Sequence, residues 1–159
     1  MVTLIHHQGL KILEGIQIQT PSPSIGLAYI GAYLKSKGIN YHAIDGCGEA
    51  LDQIRKYKKF DNIAVQGLSN EEILNRIPVN STIIGFSCIF SQCWSLVEEL
   101  ARDVRVNFPT ALLVAGGEHP TALPEDAFRD RLFDVVVYGE GEETFHELVS
   151  KVQSREDRK

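Results

Sequence analysis

Two adjacent glycines, Gly116 and Gly117, follow the short apolar segment 112–115. That segment has the composition of a strand buried on both faces. Because glycine has no Cβ, the chain can adopt positive φ here, and a ligand can reach main-chain atoms without meeting a side chain. Glu118 and His119 then place polar groups beside the bare backbone. The pattern is typical both of a tight strand-to-helix turn and of a ligand site at a strand end.

Apolar segments alternate with amphipathic ones along the chain, which predicts alternating strands and helices. Strands are predicted at residues 2–6, 41–44, 81–86, 112–115 and 134–138. Helices are predicted between the cap Ser24 and Gly38, at 49–57, between the cap Ser69 and Pro78, up to Phe108, at 124–131 and around Phe145. Residues 61–67 fit either a loop or an extra short strand, and the long connection 8–24 is interpreted as functional or mobile.

This alternation predicts an α/β fold in which one five-stranded parallel sheet is covered by helices on both faces. The expected class is the doubly wound, flavodoxin-like or Rossmann-like fold with strand order 2-1-3-4-5. Ligands of such sheets bind at the carboxyl ends of the strands, at a switch point that here lies between strands one and three. We expect a single domain over residues 1–153 and a solvated tail over 154–159.

Composition limits the classes of function. The chain has 159 residues, a formal net charge of -5 and a pI of about 5.5, which argues against nucleic-acid binding. No apolar run approaches the roughly 20 residues that cross a bilayer, and the N-terminus lacks the pattern of a signal peptide. Cys47, Cys88 and Cys93 have no C-x-x-C spacing, so neither a disulfide framework nor a zinc site is expected. We therefore expect a cytoplasmic protein without a membrane or nucleic-acid partner.

Other predicted strand ends carry candidate ligand contacts. Asp45, after the second strand, can accept hydrogen bonds from a ligand or from turn amides. The first helix has a smooth side formed by Gly26 and Ala28, which allows close packing against the sheet or against a ligand. Small polar, sulfur and aromatic groups follow the third strand at 87–90, and a segment rich in glycine and glutamate follows the fifth at 139–144.

Several common ligand motifs do not occur in the sequence. No G-x-G-x-x-G follows the first strand and no G-x-x-x-x-G-K is present, so dinucleotides and nucleoside triphosphates are poorly supported. His6 and His7 stand where a phosphate-accepting receiver domain of this fold needs acidic residues, which excludes that class.

Three segments resemble a known family. They are Pro-Ser-Ile-Gly-Leu-Ala-Tyr-Ile at 23–30, Gly-Gly-Glu-His-Pro-Thr-Ala-Leu-Pro at 116–124 and Asp-Val-Val-Val-Tyr-Gly-Glu-Gly-Glu-Glu-Thr-Phe at 134–145. In this order and spacing they resemble the N-terminal cobalamin-binding (vitamin B12-binding) domain of cobalamin-dependent radical S-adenosylmethionine (SAM) enzymes. The resemblance covers nearly the whole chain.

In such domains the corrin ring of cobalamin lies across the carboxyl ends of the strands, and its dimethylbenzimidazole tail descends beside the sheet. The resemblance implies that connection 8–24 borders the corrin and that Gly116 and Gly117 leave room for the tail. The strand-end pattern and the resemblance together predict the cobalamin-binding residues Ser24, Ile25, Gly26, Ala28, Tyr29, Asp45, Ser87, Cys88, Ile89, Phe90, Gly116, Gly117, Glu118, His119, Pro120, Tyr138, Gly139, Glu140, Gly141 and Thr144.

The resemblance also bears on the cobalt. Methionine-synthase-like cobalamin domains carry a D-x-H-x-x-G motif whose histidine binds cobalt, and this sequence has no such motif. The radical-enzyme branch commonly lacks the motif too, which implies base-off binding without a histidine ligand. The histidines are formal candidates as cobalt ligands, with His119 the best of them by position: His6, His7, His42, His119 and His146.

The family's chemistry requires a C-x-x-x-C-x-x-C motif that holds an iron–sulfur cluster. The three cysteines cannot form it, so the [4Fe-4S] cluster and the SAM of the full enzyme are expected outside this chain. We expect either an excised domain or a stand-alone cobalamin carrier that is not catalytic by itself. The resemblance implies that it serves a radical SAM catalytic domain, in cis or in trans, in a reaction such as methyl transfer.

Two other interpretations are open at this point. A flavodoxin-like module could bind another cofactor such as flavin mononucleotide (FMN), although the first loop lacks the Ser/Thr-rich cradle that its phosphate needs. Alternatively, the chain is an interaction domain without a ligand that docks through exposed Trp94 and Phe90. The colour of a bound cofactor separates the first interpretation from cobalamin, and equilibrium binding of cobalamin separates the second.

Overall fold

The computed structural model describes residues 1–14 and 21–156, the last two of them by their backbone alone. The strands are β1 (Val2–His6), β2 (Gly9–Ile12), β3 (Tyr41–Asp45), β4 (Ile54–Lys56), β5 (Ile63–Gln66), β6 (Ile83–Ser87), β7 (Leu112–Gly116) and β8 (Val135–Val136). The helices are α1 (Ile25–Ser36), α2 (Asn70–Arg76), α3 (Trp94–Asn107), α4 (Glu118–Ala122), α5 (Pro124–Phe128) and α6 (Glu142–Glu156). Short 3₁₀ turns cover Gly48–Ala50, Ser91–Cys93 and Arg129–Arg131.

Within the described residues, five strands form one parallel sheet in the order β3-β1-β6-β7-β8. This confirms the predicted α/β fold and its strand order 2-1-3-4-5. Because all five strands are parallel, the loops that follow them gather at one edge, and the reversal of winding between β1 and β6 places a crevice at that edge.

Side chains alternate between the two faces of this sheet. Ile5, Phe86 and Ala115 are aligned across three strands and belong to the larger buried cluster, which also contains apolar residues of α2 and α3. The opposite side chains belong to a smaller cluster shared with α1 and α6, two helices that contact each other. The sheet therefore has an α2/α3 face and an α1/α6 face.

A second, antiparallel sheet of β2, β5 and β4 adjoins the carboxyl edge. The prediction of a helix at 49–57 is wrong, because residues 54–56 pair with β5 and tertiary pairing outweighs local preference. Arg55 fixes this arrangement by donating hydrogen bonds to the carbonyl oxygens of Gly67 and Leu68. Of the two alternatives for 61–67, the extra strand is confirmed as β5.

Part of connection 8–24, which was interpreted as functional or mobile, forms β2 because its backbone pairs with β5. Residues 15–20 of that connection lie outside the described residues. The small sheet also contacts α3, since the Tyr57 hydroxyl donates to Ser95 Oγ (3.0 Å) and lies 3.1 Å from Glu99 Oε1. The region between β1 and α1 is thus tied to a second layer of structure.

Helix boundaries follow local signals in part. The predicted capping box at the start of α2 is present, with Ser69 and Glu72 each accepting a hydrogen bond from the other's backbone N–H. Ser24 occupies the N-cap of α1, as predicted, but its hydroxyl makes no capping bond. The predicted helix 124–131 is broken after α5 because Asp130 adopts a φ of 57°.

Two further boundaries differ from expectation. The fifth strand is only two residues long, Val135–Val136, whereas 134–138 was predicted. α6 continues to Glu156, so residues 154–156 are helical and do not belong to a solvated tail; 157–159 lie outside the described residues. No helix in the described ranges is both long and apolar enough to cross a membrane.

Candidate functional site

A cavity of about 310 Å³ lies on the α1/α6 face and opens toward the carboxyl ends of the strands. Its floor is a row of three residues at the same register, Leu4, Gly85 and Val114. Gly85, the middle residue of this row, has no side chain that projects from the sheet. A Cβ at that position would lie 3.2 Å from the ring of Phe145 and 3.3 Å from Leu4 Cδ2, so the Phe145 ring packs over this glycine.

The walls of the cavity are apolar. Leu27 and Ile30 of α1 lie on one side and Phe145 of α6 on the other, with Val137 beside it. α1 approaches the sheet closely because Gly31 faces Tyr41: a Cβ on Gly31 would come within 2.5 Å of that ring. The small residue therefore sets the position of the wall that α1 provides.

The rim is made of polar residues and glycines. Its members are Ser87, Gly116, Gly117, Glu118, Thr121, Gly139, Glu140, Gly141 and Glu142. None of the described residues that line the cavity is lysine or arginine. The cavity thus combines an apolar interior with a rim that carries hydrogen-bonding groups and acidic side chains.

Gly116 and Gly117 have different structural reasons to be glycine. Gly117 has a φ of +104°, and a Cβ there would lie 2.5 Å from the carbonyl oxygen of Cys88, so it forms a tight turn against a neighbouring backbone. A Cβ on Gly116 would meet nothing closer than 3.9 Å, at Val137. The sequence left two alternatives open for these glycines, a tight turn and a backbone that a ligand can reach. Gly117 forms the turn, and Gly116 leaves space beside the backbone.

Comparison with known proteins identifies this arrangement. A model of the B12-binding domain matches residues 15–149. The chain belongs to the B12-binding domain family. It is also 30% identical over 138 residues to a protein of Pyrococcus horikoshii named Uncharacterized methyltransferase PH0819. The match covers 83% of this chain and 25% of that protein, so this B12-binding domain spans about a quarter of the length of the relative.

Nine of the predicted cobalamin-binding residues line the main cavity of the B12-binding domain. They are Gly26, Ser87, Ile89, Gly116, Gly117, Glu118, Gly139, Glu140 and Gly141. Ser24, Phe90 and again Ile89 line a second cavity of about 50 Å³, and Asp45 lines a recess beside it. The structure therefore brings together the strand ends of β6, β7 and β8 with the start of α1.

The other predicted residues line none of these cavities. Ile25, Ala28, Tyr29, Tyr138 and Thr144 are exposed, and their roles as cobalamin contacts stay predictions. Cys88, His119 and Pro120 are buried. Ile25, Ala28 and Tyr29 belong to α1 and Thr144 to α6, whereas the buried Cys88 belongs to the cluster on the α2/α3 face.

His119 is enclosed on the α2/α3 face. Its side chain is only 3% exposed, its Nδ1 is 2.9 Å from Ser91 Oγ and its ring lies 4.4 Å from that of Trp94. Burial lowers the pKa of His119 below its ordinary value, so the neutral ring is favoured. The expectation of an exposed Trp94 is wrong, because this indole is 6% exposed and fills the core against Phe133; Phe90 is 45% exposed, as expected.

Asp45 serves the turn after β3. Its Oδ1 accepts hydrogen bonds from the backbone N–H groups of Cys47 and Gly48, at 3.2 and 2.8 Å. The same oxygen is 3.0 Å from His6 Nδ1, and this contact, more than any other, lowers the pKa of Asp45. The turn role is therefore present in the structure, while a ligand role for Asp45 stays a prediction.

A chain of side chains orients the amide of Gln8 beside the smaller cavity. Asn70 Nδ2 donates to Asp103 Oδ2 (2.7 Å), so Asn70 Oδ1 must accept from Gln8 Nε2 (2.7 Å). Gln8 Oε1 is then left buried without a donor, and the Ser24 hydroxyl is also buried without a partner. Both residues line the smaller cavity, which therefore offers unused hydrogen-bonding capacity.

The three cysteines are free and buried. Burial raises the pKa of Cys93 to about 11 and also raises the pKa values of Cys47 and Cys88, so the protonated thiols are favoured. In the described part of the chain, no group of three or more His, Cys, Asp or Glu side chains is arranged to hold a metal ion.

Sequence reasoning missed the interior of the cavity and two residues of its rim, Thr121 and Glu142. The missed lining residues are Leu4, Leu27, Ile30, Gly85, Phe86, Val114, Thr121, Val137, Glu142 and Phe145. A usable signal was present in part, because Leu27 and Ile30 are spaced as neighbours on one helix face. A glycine in the middle of an apolar central strand is also typical of a close approach, and Gly85 was such a residue.

Proposed function

We propose that this B12-binding domain holds cobalamin with its nucleotide tail in the cavity between α1 and α6 and its corrin ring across the carboxyl ends of β1, β6, β7 and β8. The observation that carries the proposal is the apolar cavity whose floor is Leu4, Gly85 and Val114 and whose polar rim lies at the strand ends. The tail of cobalamin changes from apolar to polar in the same order: its base is apolar, and the ribose and phosphate that connect the base to the corrin ring are polar.

The cavity fits this tail in size and polarity. At about 310 Å³ it lies at the lower end of the range of about 300–1,000 Å³ that is typical of small-ligand sites. Leu27, Ile30 and Phe145 would enclose the base and exclude water from it. Ser87 and Thr121 at the rim would supply hydroxyl groups near the ribose and phosphate, and Gly116 would let the tail pass.

We propose that cobalamin is held base-off and that no histidine binds the cobalt. His119 is buried on the opposite face of the sheet, below Trp94. His6 is engaged with Asp45, and His146 lies on α6 in edge contact with Tyr33. These positions support an axial environment without imidazole.

Electrostatics favours cobalamin over FMN. A phosphate monoester carries about two negative charges at neutral pH, and the cavity presents no lysine or arginine among its described lining residues. Glu118, Glu140 and Glu142 stand at the rim instead. In cobalamin the phosphate is a diester with one negative charge, which the positive cobalt–corrin centre offsets. An acidic rim therefore opposes the binding of FMN more strongly than the binding of cobalamin.

We further propose that the domain serves a radical SAM catalytic domain, in cis or in trans, in a reaction such as methyl transfer. The sequence resemblance supports this role, and the name of the Pyrococcus horikoshii relative includes the word methyltransferase. Bound cobalamin would supply a cobalt centre able to carry a methyl group. This chain's residues would hold and orient it, while SAM and the [4Fe-4S] cluster would be bound by the catalytic domain.

The test is retention of cobalamin by the purified protein. The protein is incubated with hydroxocobalamin or methylcobalamin, desalted, and examined by ultraviolet–visible spectroscopy. We expect corrin absorbance to remain with the protein in the base-off form. A folded protein that retains no corrinoid would refute the proposal, and a base-on spectrum would refute the placement of the tail in the cavity.

A pair of variants localises the binding. Gly116→Leu should fold, because a Cβ has room there, but its side chain would fill the cavity and weaken cobalamin binding by about 100-fold or more, equivalent to about 3 kcal/mol. Ala32→Leu adds the same side chain to an exposed position of α1 and should bind like the wild type. Equal affinity in both variants would remove the cavity from the site.

A further inference from the structure

We infer that this domain selects among cobamides by the chemistry of the lower base, favouring apolar benzimidazole-type bases over purines. This inference rests on the proposed function, since it concerns the group that enters the cavity between α1 and α6. Cobamides share the corrin ring and differ in the base at the end of the tail. A purine base such as adenine carries an exocyclic amino group and ring nitrogens that dimethylbenzimidazole lacks.

The floor of the cavity offers no side-chain hydrogen-bonding group. Leu4 and Val114 are 1% and 2% exposed, and Gly85 lies between them without a side chain. Leu27 and Phe145 extend the apolar surface up the walls. A base held between this floor and these walls would therefore contact only carbon atoms of the side chains.

The backbone at the floor is also engaged. Leu4, Gly85 and Val114 belong to the central parallel strands, whose N–H and C=O groups pair with the neighbouring strands. Among the described residues, the buried side-chain polar atoms without a partner belong to Gln8, Ser24, Trp94 and His119. None of these residues lines the main cavity, so no hidden partner for a purine is available there.

Polar groups begin only at the rim. The row Ser87 and Gly116 lies two residues beyond the floor row Gly85 and Val114, which corresponds to about 7 Å along a strand. Ribose and phosphate can meet hydroxyl and backbone groups at that height, whereas the base lies below them. A purine would therefore bury its amino group and ring nitrogens without partners, which costs about 10- to 100-fold in affinity.

The test is a ligand series measured by equilibrium binding to the intact chain. The ligands are cobalamin, an adeninyl cobamide and cobinamide, which has no base. We expect cobalamin to bind at least about 10-fold more tightly than the adeninyl cobamide, with cobinamide also weaker than cobalamin. Equal affinity for cobalamin and the adeninyl cobamide would overturn the inference and leave the proposed function standing. Failure of all three to bind would refute the proposed function and the inference with it.

A matched pair of variants tests the floor directly. Val114→Thr places a hydroxyl on the floor with little change in shape and should reduce the preference for cobalamin over the adeninyl cobamide by about fivefold or more. Val2→Thr makes the same change on the same face of β1, outside the cavity lining, and should keep the wild-type preference. An unchanged preference in folded Val114→Thr would contradict the inference; if this variant does not fold, the wild-type ligand series still decides.

Discussion

The two faces of the central sheet are covered by helices in the same way, yet they are filled differently. On the α2/α3 face, Leu100 and Val104 of α3 pack directly onto strand residues such as Leu113. On the α1/α6 face, the ring of Phe145 packs over Gly85, and a cavity remains between this ring and Leu27 and Ile30 of α1. The larger buried cluster thus lies on one face, and the other combines a smaller cluster with a cavity.

The largest expected effect compares a side chain from each face. Leu100→Ala removes a fully buried side chain from the α2/α3 face and should lower the free energy of unfolding by about 2–5 kcal/mol. Leu27→Ala removes a half-buried side chain that already borders empty space and should cost about 1–2 kcal/mol. Denaturant unfolding of both variants checks this. Similar losses would show that the two faces are equally packed.

His7, the second of two adjacent histidines at the end of β1, should make the stability of the fold depend on pH. Burial, with a smaller contribution from the nearby His6, lowers the pKa of His7 from 6.5 to about 4. Between these pH values the unfolded chain binds a proton that the folded chain does not, so stability is complete above pH 6.5 and falls as the pH approaches 4. The expected loss from this group is about 3 kcal/mol.

Unfolding free energies measured from pH 7 to pH 4 check that expectation. His7→Asn should flatten the dependence on pH whatever its effect on stability at pH 7, whereas the control His42→Asn on β3 should retain it. A His7→Asn variant with the wild-type slope would contradict the assignment of this pH dependence to His7.

Alanine substitution should destabilise the fold much more at Gly117 than at its neighbour Gly116. Gly117→Ala combines a φ of +104° with a Cβ 2.5 Å from the carbonyl oxygen of Cys88 and should destabilise the fold by about 2 kcal/mol. Gly116→Ala has room for its Cβ and should change stability by about 0.5 kcal/mol or less. Thermal unfolding measures both, and equal melting temperatures would show that Gly117 is not required by the turn.

A smaller effect than those at Leu100, His7 and Gly117 is expected at the helix cap of α2. Ser69→Ala removes the hydroxyl that accepts from Glu72 N at 3.1 Å and should lower stability by about 1 kcal/mol. Cobalamin affinity should not change, because α2 lies away from the cavity. A loss of affinity at unchanged stability would indicate coupling between the two faces.

The sequence predicted the sheet because its strands are short apolar runs separated by strong helix and turn signals. It failed at residues 54–56, whose local composition suits a helix, because their conformation depends on pairing with the distant β5. Strand pairing of this kind is decided by tertiary context and carries little local signal.

Much of the rim of the cavity was predictable and its interior was not. Gly116, Glu118 and Gly139 follow strands, and strand ends are identifiable from the sequence. The choice of Leu4 and Val114 as floor residues depends on the register of three strands and on the helix covering each face. His119, chosen for its position after the glycines, turned out to be buried because α4 directs its ring under Trp94.

The most direct measurement is methyl nuclear magnetic resonance of the chain labelled at leucine and valine, recorded with and without cobalamin. Leu27 and Val114, which line the cavity, should show large changes in methyl chemical shift on binding. Leu100 and Val104, which are buried on the α2/α3 face, should stay nearly unchanged and act as internal controls. Binding that shifts the second pair while leaving the first in place would contradict the assignment of the cobalamin tail to the α1/α6 cavity.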